Sequence, residues 1–112
     1  MSQRIEKINE LIRQKLSEII RRELEFPGNA LITITRVETS PDIKYCKVFI
    51  TILPDKFWGS ALEILRKNRH NLRKILRKQL TTKFTPNLHF LLDEQEIFAS
   101  EVDKLLDEIN KG

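Results

Sequence analysis

Few residues of this chain could carry out acid–base or nucleophilic chemistry, and they are scattered along it. The two histidines, His70 and His89, are 19 positions apart, and neither has a cysteine pair or a carboxylate cluster at metal-ligand spacing. Cys46 is the only cysteine, and its alternating apolar segment favours a small buried hydrophobe over a nucleophile. Ser40 and Asp42 belong to a turn-forming stretch that lacks the partners of a triad. We therefore predict no catalytic site, no metal site and no cofactor.

The positive charges are far more concentrated than these groups. Residues 1–63 carry ten basic and nine acidic side chains, residues 64–92 carry eight basic and none acidic, and residues 93–112 carry two basic and seven acidic. Eight cations without an acid among them repel one another. A nucleic-acid backbone would neutralise them with regularly spaced phosphates. The middle of the chain is therefore predicted to bind a polyanion. There are two alternatives to a polyanion partner. The basic face is simply exposed to solvent, or the acidic last helix neutralises its charge.

The elements that must position these cations follow from hydrophobic periodicity. Apolar residues at three- and four-residue steps indicate a first helix over residues 2–25. Alternating β-branched segments at 30–38 and 44–53 indicate two strands, which a short turn joins as an antiparallel hairpin. A long helical stretch at 60–80 and a third strand at 88–93 follow. The last helix starts at Asp93 or Ser100 and ends near Asn110. Its predicted core stripe is Phe98, Val102, Leu105 and Ile109.

The order α-β-β-α-β-α predicts a two-layer α+β domain over residues 1–112, with helices packed on one face of a three-stranded sheet. Residues 54–59 are predicted as a loop in which Phe57 and Trp58 cap the core in preference to stacking on bases. The chain enters its first helix without an apolar leader, and no segment approaches the length of a membrane span. We therefore predict a cytoplasmic protein without a membrane partner.

The long helical stretch divides into two faces and is interrupted near its middle. Asn68-Arg69-His70-Asn71 places two asparagines, poor residues for a helix interior, where a break would expose backbone N–H groups to a phosphate. An unbroken helix that tolerates the asparagines is the alternative. The apolar face holds Ala61, Leu62, Leu65, Leu72, Leu76 and Leu80, and the basic face holds Arg66, Lys67, Arg73, Lys74, Arg77 and Lys78, with Arg69 at the border.

The chain also carries a series of ordered landmarks. The most distinctive are the turn Ser40-Pro41-Asp42 and the pattern of Pro86, Leu88 and Phe90 at alternate positions. The others are Arg4-Ile5, Glu23-Leu24, Pro27, Ile34-Thr35-Arg36-Val37, Lys44 to Ile50, Leu72-Arg73, Leu76, Thr85, Asn87, His89 and Asp93. In order and spacing, these landmarks resemble bacterial ribosome-binding factor A over about residues 4–109.

The resemblance implies a type II K-homology (KH) fold. It also implies binding to the small ribosomal subunit and its ribosomal RNA during late maturation, in the cytoplasm and often linked to growth in the cold. It implies no catalytic site, and action alongside ribosomal proteins and assembly GTPases. Where the family has an Ala-x-Gly helix kink, this chain reads Asn68-Arg69-His70.

Our leading hypothesis is therefore a monomeric, non-catalytic ribosome assembly factor. A generic KH-type module for mRNA or small RNA is one alternative. A small RNA-processing enzyme that uses His70 or His89 is another. The predicted RNA-binding residues are Arg73, Lys74, Arg77 and Lys78 as main phosphate contacts, Lys67, Arg69 and His70 around the break, Arg66 and Lys83 at the two ends of the basic segment, and Arg36 and Lys44 near the hairpin.

Overall fold

The computed structural model describes residues 2–80 and 85–111. The order of elements is the predicted one, with the long helical stretch divided in two. Helices α1 to α4 span Ser2–Glu23, Trp58–Lys67, Arg69–Gln79 and Glu94–Lys111, and strands β1 to β3 span Leu31–Thr39, Tyr45–Leu53 and Asn87–Leu92. The predicted loop at 54–59 is wrong in part, because Asp55–Phe57 forms a 3-10 turn and α2 already begins at Trp58.

The sheet has the order β1-β2-β3 and is mixed. β1 and β2 form the predicted antiparallel hairpin, with a bulge between Ile34 and Arg36. β3 runs parallel to β2, from the pair Tyr45 and Asn87 to the pair Ile50 and Leu92. A parallel pair needs a crossover connection, and α2 and α3 provide it. This topology brings the start of β2 and the start of β3 together beside α3.

The core lies between one face of the sheet and the helices α1, α2 and α3. The predicted stripe of α1 is buried from Ile8 to Ile19. On β2, alternation buries one face and leaves Lys47 exposed on the other, as expected for a strand with a covered and an open side. The rest of the core consists of Ile20, Ile34, Val37, Cys46, Val48, Ile50, Ile52, Ala61, Leu65, Leu72, Leu76, Leu88 and Phe90. Trp58 packs against this core and donates its Nε1–H to the carbonyl of Ile52 at 2.9 Å, so the predicted capping role is confirmed.

Helix α4 departs from the prediction. Phe98, Leu105 and Ile109, expected in the core, are 67%, 58% and 72% exposed. The reason is that α1, α2 and α3 already cover the apolar face of the sheet, so no apolar surface is left there for a fourth helix. The radius of gyration, 15.7 Å, exceeds the roughly 13 Å of a compact chain of this length, as a projecting helix requires.

Asp93 marks where β3 ends and α4 begins. Its backbone N–H still donates to the carbonyl of Ile50 at 2.8 Å, and its carboxylate accepts the N–H of Glu96 at 3.2 Å. This is the geometry of a helix N-cap, so the first of the two predicted starting points for the last helix is the correct one. In the described ranges, no helix is long and apolar enough to cross a bilayer.

Candidate nucleic-acid interface

The break in the basic helix is centred on Asn68. Its φ and ψ are −98° and 3°, outside the helical region, and its side-chain amide donates to the carbonyl of Ile64 at 2.7 Å. Because this is a negative φ, the turn between α2 and α3 needs no glycine. Among the described non-glycine residues, only Asn29 and Ile43 have a positive φ. His70 therefore occupies the position of the family's glycine without the backbone strain of a positive φ. The predicted interruption is confirmed, and the unbroken helix is wrong.

The cations of α2 and α3 lie mostly on the surface, as predicted. Within the described part of the chain, Lys67 alone among them has an acidic partner, Glu63, with Nζ 3.3 Å from Oε1. That pair is exposed and contributes little. Among the described residues, no ion pair links α4 to α3. Seven of the predicted contacts on α2 and α3 are exposed: Arg66, Lys67, Arg69, His70, Lys74, Arg77 and Lys78.

Arg73 differs from its neighbours because it is half-buried and already bonded. Its Nη2 donates to the carbonyl of Thr85 at 2.8 Å, and its Nε donates to the carbonyls of Thr85 and Pro86 at 3.1 and 3.3 Å. Arg66 similarly donates from Nη2 to the carbonyl of Phe90 at 3.0 Å. Arg66 thus ties α2 to β3, and Arg73 ties α3 to the residues just before β3. Both side chains keep their charge next to the surface.

Arg36 is not brought to this surface. It lies on the open face of the sheet, with its guanidinium carbon 3.8 Å from the centre of the Phe49 ring. It also bonds Glu38 at 2.8 Å and approaches Asp93 at 3.4 Å. Lys44, by contrast, is exposed and lies beside α3. Lys83 lies outside the described residues.

A groove of about 340 Å³ runs between α3 and the starts of β2 and β3. A hollow of about 170 Å³ continues it towards the break between α2 and α3, and Tyr45, Arg73 and Asn87 line both. We call the two together the α3 groove. The remaining residues that line it are Asp42, Ile43, Lys44, Arg77 and Thr85 in the larger part, and Arg69, His70, Leu88 and His89 in the hollow.

The turn at one end of the groove is tightly held. Asp42 accepts the hydroxyl of Ser40 at 2.6 Å and the N–H of Lys44 at 3.1 Å. The Ser40 hydrogen bond, followed by that of Lys44, lowers the pKa of Asp42. The carboxylate is therefore held at the turn, and the Ser40 hydroxyl in turn accepts the N–H of Tyr45 at 3.1 Å. The turn thus fixes the backbone of Lys44 and Tyr45, which line the groove.

Sequence reasoning missed Tyr45, Asn87 and the pairing of Tyr45 with His89. Tyr45 is 54% exposed, and its ring centre is 5.9 Å from that of His89. Two aromatic rings beside a row of cations provide flat surfaces on which bases can stack. The available signal was an aromatic residue at an exposed position of each strand. Their proximity depends on the parallel pairing of β2 and β3, which the sequence pattern does not specify.

The described residues form no group of three metal-ligating side chains, and Cys46 is fully buried. Burial raises the pKa of its thiol to about 12, so the thiol is neutral near pH 7. His70 and His89 do line the same hollow, although they are far apart in sequence. What the surface offers is a row of cations, two aromatic rings and a groove, a combination suited to binding an RNA strand.

A sequence model described as ribosome-binding factor A matches residues 4–106. The chain belongs to the ribosome-binding factor A family. The ribosome-binding factor A of Thermomicrobium roseum is 35% identical to it, over 98% of this chain and 86% of the relative. That of Dinoroseobacter shibae is 38% identical, over 94% of this chain and 80% of the relative.

Solved structures of ribosome-binding factor A share the fold. The crystal structure of the Thermus thermophilus protein superposes with a TM-score of 0.68 at 24% identity, over 77% of this chain and 91% of that one. A T. thermophilus homology model, fitted into a cryo-EM map of a complex between the 30S subunit and RbfA, superposes with a TM-score of 0.66 at 25% identity, over 74% and 88%. The α+β fold predicted from the order of elements is thus confirmed, and so is the family resemblance predicted from the landmarks.

Proposed function

We propose that this protein binds the small ribosomal subunit and its ribosomal RNA and assists late maturation of the subunit, without catalysing a reaction. The observation that carries this proposal is the row of exposed cations on α3, which form no ion pair among the described residues. The row borders a groove with two aromatic rings. Family membership supports the particle as the target, because a relative was fitted into a map of its complex with the 30S subunit. We also propose that the chain acts as a single domain in the cytoplasm, alongside ribosomal proteins and assembly GTPases.

The cations of α3 have two different roles in the proposed binding mode. Lys74, Arg77 and Lys78 are exposed and without an acidic partner among the described residues, so they are placed to contact phosphates. Arg73 positions the groove by holding the segment just before β3 against α3. Contacts of this kind read the backbone and the shape of an RNA more than its sequence.

Co-sedimentation with purified small-subunit particles over a range of salt concentrations tests the site. The triple charge reversal Lys74→Glu, Arg77→Glu and Lys78→Glu should abolish most binding and flatten the salt dependence by roughly 0.7–0.9 log units per lost phosphate contact. The matched control reverses three exposed cations of α1, which are Arg4, Lys7 and Arg21, and has the same net charge. Equal losses in the two variants would mean that only the net charge matters and would refute the assignment to α3.

The two alternatives predict different outcomes. A generic KH module would bind unstructured RNA as tightly as small-subunit particles at equal salt, whereas an assembly factor binds the particles much more tightly. The shared hollow of His70 and His89 favours testing the enzyme hypothesis directly. Purified protein should leave labelled ribosomal RNA intact, and turnover that disappears in the double histidine-to-alanine variant would overturn the non-catalytic assignment.

A further inference from the structure

Helix α4 carries an apolar stripe that the described part of the fold leaves uncovered except at the half-buried Val102. Phe98, Leu105, Leu106 and Ile109 are all more than half exposed. Phe98, Val102, Leu105 and Ile109 follow one another at steps of four, three and four residues, which is the spacing of the apolar positions in a coiled coil. We call these five residues the α4 stripe. Its helix of 18 residues is about 27 Å long, enough to pair with another helix over several turns.

The charges around the α4 stripe restrict what can cover it. Glu94, Glu101 and Glu108 recur every seven residues along one flank, at the positions that form ion pairs with a partner helix in a coiled coil. All three are exposed. Six acidic and two basic side chains give α4 a charge of −4. RNA and anionic lipid surfaces are repelled by that charge.

A second copy of α4 is also a poor partner. Two antiparallel copies would set the glutamates of one flank against those of the other, and each helix would bring four negative charges to the contact. The exposed face of α3 has the opposite charge but lacks an apolar stripe, since its leucines are buried in the core. Neither element of a second copy therefore complements α4.

We propose that α4 docks through its stripe onto a basic amphipathic helix of a partner protein on the small-subunit particle. This inference rests on the proposed function. The partner helix carries lysine or arginine next to its apolar positions, where it meets Glu101 and Glu108. The chain would then hold the particle at two places of opposite chemistry: α3 on phosphate, and α4 on a cationic protein.

Site-specific photocrosslinking tests the proposal. A benzophenone maleimide is attached at Leu105→Cys on the stripe, and at Ser100→Cys on the opposite, exposed face as the control. Cys46 does not compete for the label, because it is fully buried. On purified small-subunit particles, Leu105→Cys should crosslink to a protein of high pI at least about fivefold more than Ser100→Cys. Crosslinks to RNA, to a second copy, or equally from both positions would overturn the proposal.

Affinity provides the second measurement. Leu105→Glu and Ser100→Glu add the same single negative charge to the same helix, on its apolar and polar faces. Leu105→Glu should weaken particle binding about tenfold, as loss of a central apolar contact does, and Ser100→Glu should leave it within about twofold. Glu101→Lys with Glu108→Lys should also weaken it. Equal affinities for all of these variants would refute docking by α4.

These outcomes separate the two proposals. If the charge-reversed α3 variant loses particle binding while Leu105→Glu does not, the proposed function stands and docking by α4 fails. If the unmodified chain does not bind particles at all, both proposals fail together.

Discussion

The guanidinium of Arg73 donates two hydrogen bonds to the carbonyl of Thr85, from Nη2 at 2.8 Å and from Nε at 3.1 Å. Arg73, which the charge pattern predicted to contact RNA, thus uses two of its hydrogen-bond donors within the protein. Arg73→Ala should therefore lower the free energy of unfolding by about 1–3 kcal/mol, the usual cost of losing hydrogen bonds from a charged group. Its exposed neighbour Lys74 provides the control: Lys74→Ala should change stability by less than about 0.5 kcal/mol and still weaken RNA binding. Urea denaturation of both variants measures the difference, and equal stabilities would show that the Arg73 contacts are not structural.

Asp93 should make the stability of the protein depend on pH. The carboxyl is 2% exposed. Burial alone raises its pKa, but the hydrogen bonds from Thr35 Oγ1 and the Glu96 amide and the charge of Arg36 outweigh this and lower the pKa. Because the pKa is lower in the folded state, the contribution of Asp93 is complete above its unfolded value of about 4 and disappears as the pH falls through the folded value.

Asp93→Asn should therefore be less stable than the wild type at pH 7, with the difference shrinking below about pH 4. Urea denaturation at a series of pH values measures this. The reverse trend, a difference that grows at low pH, would contradict the assignment. Glu94→Gln, at an exposed position next to Asp93, is the control and should show little of this dependence.

A 3-10 turn, Pro27–Asn29, follows α1 and depends on Gly28. Its φ is +60°, and a Cβ added there would lie 2.5 Å from Cζ of the Phe57 ring. Gly28→Ala should lower stability by about 1 kcal/mol or more, since the side chain meets both an unfavourable φ and a ring. Gly59, in the first turn of α2, has no heavy atom within 4 Å of its added Cβ. Gly59→Ala should therefore be neutral or stabilising, and thermal denaturation of the pair compares them directly.

Tyr45 should contribute to RNA binding through stacking. Tyr45→Ala should weaken the binding of a short single-stranded RNA by about 1–3 kcal/mol, the usual worth of a base–aromatic stack. Leu31→Ala is the matched control, because Leu31 is similarly exposed on the sheet but lies outside the α3 groove. Fluorescence anisotropy at constant salt measures both. An unchanged affinity in Tyr45→Ala would remove the aromatic pair from the interface.

Local pattern predicted most of the fold. Three- and four-residue steps located α1 and the buried faces of α2 and α3, and alternation located both strands of the hairpin. The interruption at Asn68 was predictable because asparagine competes with the helix through its own side chain, which here bonds the Ile64 carbonyl. The order and spacing of the landmarks also predicted the ribosome-binding factor A family.

What could not be predicted depends on relationships between distant segments. The stripe of α4 has the same period as that of α1, but its burial depends on whether any apolar sheet surface remains. Arg73 and Lys74 look alike in a charge pattern, and only the position of β3 decides that one bonds to a carbonyl and the other faces solvent. Tyr45 and His89 meet only because β2 and β3 are parallel.

The two arginines that bond to β3 and to the residues just before it also shield part of the free edge of the sheet. The backbone N–H groups of Asn87 and Asp93 donate to carbonyls of β2 and of the residue just before it. Successive residues of a strand point their backbone groups to opposite sides, and Phe90 is an odd number of residues from both. The carbonyl of Phe90 therefore points away from β2, towards the free edge of the sheet. Arg66 bonds that carbonyl, and Arg73 bonds those of Thr85 and Pro86 just before the strand. A bare edge invites another strand to pair with it. Arg66 therefore occupies an acceptor on the free edge of β3, and Arg73 occupies two acceptors just before it, which leaves an incoming strand fewer carbonyls to pair with on that side of the sheet.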